Sequence, residues 1–193
     1  MNGGNLITGH GQRTREIAEK LQENLHADRK RYSEVQLFYD HGDSSKAEVC
    51  QPTSYMGRCY GSNATLSGLD IILVHKGKVF LLVEVEESEV RPKTILGDVF
   101  GVVVADRVSI RGRSLPISNA TMIVAVTVSG HGRRAEKYVR LERRLGRHLE
   151  ALRRTTSRSK VAKIRIVTSD ADDLARRIER LIRLEVGRGV DAR

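Results

Sequence analysis

Residues 67–88, SGLDIILVHKGKVFLLVEVEES, hold two short aliphatic and β-branched runs, 71–74 and 79–85, on either side of His75-Lys76-Gly77-Lys78. Runs of this length and composition around a glycine-containing break predict a β-hairpin of buried strands. Asp70 stands at the start of the first run, and Glu84-Val85-Glu86 closes the second. Carboxylates inside apolar strands are costly unless something compensates them, and a divalent cation is the usual compensator. Glu84 and Glu86, two apart, share a face of their strand. Where Asp70 falls depends on the turn. A three-residue loop, His75-Lys76-Gly77, pairs Val74 with Lys78, sets Asp70 opposite Leu82 and diagonal to Glu84, and gathers the acids. A two-residue Lys76-Gly77 loop shifts the pairing by one and sends Asp70 to the opposite face. The first register is preferred because it gives Gly77 a left-handed role and brings the charges together. The plainer alternative is an edge strand whose polar face meets solvent.

Asp70 followed, after a hairpin, by Glu84-x-Glu86 resembles the active-site signature of the PD-(D/E)xK nuclease superfamily, in particular restriction endonucleases with Glu where the last position is usually Lys. Leu69 precedes Asp70 in place of Pro. The match runs from Leu66 to about Val108, roughly a fifth of the chain. The resemblance implies that Asp70 and Glu84 are metal ligands and that Glu86, in the lysine's place, joins the metal site by holding or orienting a water, with room for a second ion beside it. It further implies that a first-helix glutamate, Glu23 or Glu19, can complete the site. The implied cofactor is Mg²⁺, with Mn²⁺ as a substitute.

Beyond the hairpin, Pro92 opens a largely apolar helix, TILGDVFGVVVADRV, expected to end near Arg107, and Lys93 at its entrance can steer phosphate or assist a water. Asp98 and Asp106 read as boundary or buried-pair residues. A first helix is expected over 14–31, with Ile17, Leu21 and Leu25 on one side. A buried strand is expected over 121–128, a long helix over 133–154, a strand over 162–167 and a last helix over 170–185, introduced by acidic first-turn residues. Strand-helix-strand order predicts an α/β fold, and with the resemblance a restriction-endonuclease-like one: a central mixed sheet flanked by helices. The 193 residues read as a single domain, since no Pro/Ser linker divides them. Residues 40–64 are polar and aperiodic and read as an irregular loop or insertion, from which Tyr55, Arg58, Tyr60 and Asn63 could contact a base or backbone.

Charge narrows the partner. The net charge is +10, and 25 of the 34 basic residues are arginine. Residues 133–160 carry 11 Lys or Arg against 3 Glu, a field that attracts polyanions. Arg133, Arg134, Arg140, Arg143, Arg144 and Arg147 present guanidinium forks suited to phosphate, and Arg111 and Arg113 form a smaller basic loop. No apolar run is long enough to span a bilayer and no signal-peptide core opens the chain, so a soluble, cytoplasmic protein is expected. Cys50 and Cys59, even with His41 nearby, lack the tight pairing of a structural zinc site. His10 and His131 lie beside glycines with no recognisable partner. An acidic ion site in a basic chain implies metal-dependent hydrolysis of DNA, of type II restriction-like character, with a homodimer placing one site on each strand. A junction-resolving or repair nuclease would share this chemistry. A non-catalytic nucleic-acid binder would instead pair the carboxylates internally with Arg91 or Arg107.

Overall fold

The computed structural model describes residues 11–58, 61, 63–86, 91–128, 133–156 and 159–191. In chain order the elements are α1 (Gln12–Ala27), α2 (Arg29–Tyr32), β1 (Val35–Tyr39), β2 (Thr53–Tyr55), β3 (Thr65–Gly68), β4 (Ile71–His75) and β5 (Lys78–Glu86). These are followed by α3 (Pro92–Val103), β6 (Arg107–Ile110), β7 (Arg113–Thr127), α4 (Arg133–Thr156), β8 (Val161–Ser169) and α5 (Ala171–Asp191). The result is an α/β fold with a mixed, mostly antiparallel sheet of eight strands and five helices among the described residues.

The hairpin forms where the sequence places it, but its turn differs from the preferred reading. His75 pairs with Lys78, so the loop is the two-residue Lys76-Gly77, both residues left-handed at φ 49° and 72°. That is the conformation a type I′ turn demands. The acids nevertheless share a face, because the register shifts after Val74↔Val79 and resumes at Leu73↔Leu81. Phe80 is the extra residue of a β-bulge, and Phe80 and Leu81 both enter the same core cluster. Beyond the bulge Ile71 pairs with Val83, which sets Asp70 directly across from Glu84.

The strands run β1-β4-β5-β7-β6-β2-β3, with β8 also on β7. The long β7 explains this branching. Its first residues pair antiparallel with β6 across a second left-handed two-residue turn, Arg111-Gly112, while its second half lies parallel to both β5 and β8. Parallel neighbours need crossovers, and the segments carrying α3 and α4 supply them. One face of the sheet packs Ile72, Leu82, Met122, Val124 and Val126 against Ile95, Val99 and Val102 of α3 and Tyr138 and Leu149 of α4. The other packs Ile71, Leu73, Leu81, Val83 and Ile123 against Ile17 and Leu21 of α1 and Leu174, Ile178 and Ile182 of α5. Coverage on both faces is why β4 is buried at every position and reads as an unbroken apolar run.

Three sequence expectations change here. Strand β1 and the β2–β3 and β6–β7 pairings were not expected. The apolar helix stops at Val103, and Arg107 begins β6. The segment 40–64 is not wholly irregular, because β2 lies inside it and Val49 bridges to Tyr39. Among the described residues no helix is long and apolar enough to cross a membrane.

Candidate functional site

The acids collect where β4 begins and β5 ends, on the sheet face covered by α3 and α4. Asp70 precedes β4 and is fixed through its carboxylate, whose Oδ2 accepts a 2.6 Å hydrogen bond from the Val85 amide. The Asp40 amide donates to the Asp70 carbonyl at 2.8 Å, extending the β1–β4 ladder by one step. Asp40, Asp70 and Glu84 therefore form a row across three adjacent strands. Glu86 lies two residues beyond Glu84 on the same face, and Asp98 approaches that face from α3.

Burial and mutual repulsion push these acids toward their neutral forms. Asp70 is raised chiefly by burial, against the Val85 hydrogen bond and the nearby His41, which favour its ionised form. Glu84 is raised well above the ordinary carboxylate value by burial and then by the charges of Asp70, Asp98 and Glu86. Glu86 is pushed up to about 7 by burial, by the Asp98 charge and by its hydrogen bond with Asp98. Asp98 is raised by burial, with that hydrogen bond acting in the opposite sense. Two carboxyl pairs result, Asp70 with Glu84 and Glu86 with Asp98. Among the described residues no three His, Cys, Asp or Glu side chains are gathered as a metal site.

Among the described residues no lysine or arginine forms an ion pair with these acids. Arg107, one internal partner considered from sequence, donates instead to the Ser114 side chain and carbonyl. Arg91, the other, is exposed and makes no ion pair with these acids. The imidazole of His41 lies beside them, its Nε2 3.6 Å from Asp40 Oδ2 and its backbone left-handed at φ 60°. Its ring fills the space a side chain on Gly11 would need, since a Cβ there would come within 2.3 Å of it.

The remaining expected site residues scatter. Glu23 is exposed on α1, which packs on the far face of the sheet, so the structure does not bring it to the acids. Glu19 pairs with Arg15 at 3.0 Å and Lys46 at 3.8 Å. Lys93 is exposed in the first turn of α3 and is not among the charges acting on Glu86 or Asp98. Tyr55 is corrected outright: it is fully buried, and its hydroxyl bonds the Ser114 hydroxyl, which leaves no surface for a base. Arg58 and Asn63 are exposed, whereas Tyr60 lies outside the described residues. Arg111 donates to the carbonyls of Lys46 and Val49, both at 2.9 Å, and straps the 40–52 loop to the β6–β7 turn. Arg113 is exposed beside it.

On α4, Arg140 pairs with Glu136 at 3.2 Å, while Arg143, Arg144 and Arg147 are exposed and have no ion-pair partner among the described residues. The side chains of Arg133 and Arg134, and His10 and His131, lie outside the described residues. Asp106 has the boundary role expected of it, accepting from the Gly57 amide at 2.8 Å. Asp98 does not. It joins the site, and the signal was present in the sequence, because Ile95, Asp98, Val99 and Val102 recur on one helical face. Asp40 was also missed.

No family model, curated protein sequence or solved structure matches this chain.

Proposed function

We propose that the protein hydrolyses DNA phosphodiester bonds with a divalent cation, as a type II restriction-like endonuclease on a restriction-endonuclease-like fold. The observation that carries this reading is the meeting of Asp70 and Glu84 across β4 and β5, beside Glu86, with no lysine or arginine among the described residues paired to them. Hard carboxylate oxygens on a partly accessible sheet face are the donor type that Mg²⁺ or Mn²⁺ prefers. Asp70, Glu84 and Glu86 would hold it. A bound Mg²⁺ supplies charge withdrawal from the phosphate and a lowered pKa for an attacking water.

The chain's own residues do the rest. The Val85 amide fixes the Asp70 carboxylate, so at least one ligand is oriented before substrate arrives. Glu86 can orient the attacking water, and Lys93, at the helix entrance, can meet a phosphate oxygen. Helix α4 covers the same sheet face as the acids, and its exposed Arg143, Arg144 and Arg147 offer phosphate contacts on that side. Cutting both strands would place two copies around a two-fold axis.

The test is digestion of a mixed DNA library with Mg²⁺ or Mn²⁺, with EDTA and Asp70→Asn as controls and the ends sequenced. Cation-dependent cuts absent from Asp70→Asn are expected. A short common sequence at the ends identifies restriction-like recognition, and cuts clustered at branched or damaged DNA identify a junction or repair nuclease. Intact DNA with binding retained would overturn the catalytic reading.

A further inference from the structure

We infer that Asp98 is a member of the cation site, closing on the ion from helix α3 together with Glu86 from strand β5. The inference rests on the proposed cation site and deepens it, because it assigns a role to the glutamate that stands where the resembled family usually has lysine. With Asp98 against it, Glu86 is a cation-holding group and not a substitute for the lysine's positive charge.

Position is the first argument. Asp98 lies on the α3 face that also carries Ile95, Val99 and Val102, all buried against the sheet. An apolar residue would pack there, and an aspartate on that face needs a partner. Approach is the second. Helix α3 sits close to the strands because position 101 is glycine: a Cβ there would come within 3.2 Å of the Ser67 hydroxyl. Asp98, three residues earlier on the same helix, meets Glu86 of β5. The third argument is an orphaned atom. Asp98 Oδ2 is buried and has no hydrogen-bond partner, although buried polar atoms are ordinarily satisfied. The side chain it meets across the helix–strand contact is another carboxylate, Glu86, and two acceptor groups cannot satisfy one another. A divalent cation between the two satisfies both.

The experiment is a Mn²⁺ titration of the full chain, following free Mn²⁺ by electron paramagnetic resonance, for the native protein, Asp98→Asn, Asp98→Glu and Asp70→Asn. Asp98→Asn should weaken Mn²⁺ binding by about tenfold or more, and Asp98→Glu should recover part of the loss. If either substitution at 98 fails to give a cooperative melt, Asp98→Ser replaces it. Native affinity in Asp98→Asn beside lost affinity in Asp70→Asn would overturn this inference alone and leave Asp98 as a structural partner of Glu86. No Mn²⁺ bound by the native protein would overturn the cation site itself, and this inference with it.

Discussion

Asp70, Glu84, Glu86 and Asp98 all bind protons more tightly than ordinary carboxylates, and this fixes how the cation-free protein responds to pH. Glu86 has a folded-state value of about 7 against an ordinary 4.5. Between those values the folded protein keeps a proton that the unfolded chain has released, so stability falls as pH rises through the window. After allowance for the solvent that reaches Glu86, its share is on the order of 1–2 kcal/mol. The cation-free melting temperature should therefore drop by several degrees from pH 5 to pH 8. Added Mg²⁺ should restore it at pH 8 and do little at pH 5, where protons hold the site. A melting temperature that rises over this range in EDTA would contradict the arrangement of the acids. Gly11→Ala should also destabilise, since the position is left-handed at φ 89° and the new methyl would strike the His41 ring; a melting curve matching the native one would contradict that packing.

The β4–β5 hairpin shows how far local sequence reaches. Its two strands, its glycine turn and the shared face of Glu84 and Glu86 follow from composition and period two. The bulge at Phe80 does not, because its neighbours Val79, Leu81 and Leu82 are all aliphatic and any could be the extra residue. What selects Phe80 is demand from both covering layers, with Val79 wanted by one core cluster and Phe80 and Leu81 by the other. The turn is separately testable. Gly77→Ala meets no atom within 4 Å, so its cost is the left-handed backbone alone, about 1 kcal/mol. Gly77→Asn, which tolerates that conformation, should cost less in chemical denaturation, and equal losses would contradict the type I′ turn. Strand β1 escaped notice for another reason: VQLFY is five residues long and follows directly on a charged helical segment. Only its pairing with β4 makes it a strand. Helix α3 is the opposite case, since the spacing of Ile95, Asp98, Val99 and Val102 carries the signal of a shared face, although by sequence Asp98 reads only as a boundary or buried-pair residue.

For the whole molecule, a net charge of +10 and the exposed arginines of α4 make binding to DNA a question of salt. Affinity should fall steeply between 50 and 200 mM salt, and the double substitution Arg144→Ala, Arg147→Ala should weaken binding to all sequences alike and reduce the salt slope by about two. An unchanged slope would place the DNA elsewhere. Light scattering on the protein with a short duplex should give the mass of two chains, and one chain per duplex would exclude the two-fold arrangement. The sequence by itself determined the α/β class, the acid pair on β5, the basic character of α4 and the helix face that carries Asp98, because periodicity and charge are local properties. The tertiary structure decided that Asp70 faces Glu84, that Asp40 and Asp98 join them, that Tyr55 is buried and that Glu23 stands apart. Those depend on a bulge, on strand order and on which sheet face each helix covers, and such contacts between distant segments leave no fixed spacing in the chain.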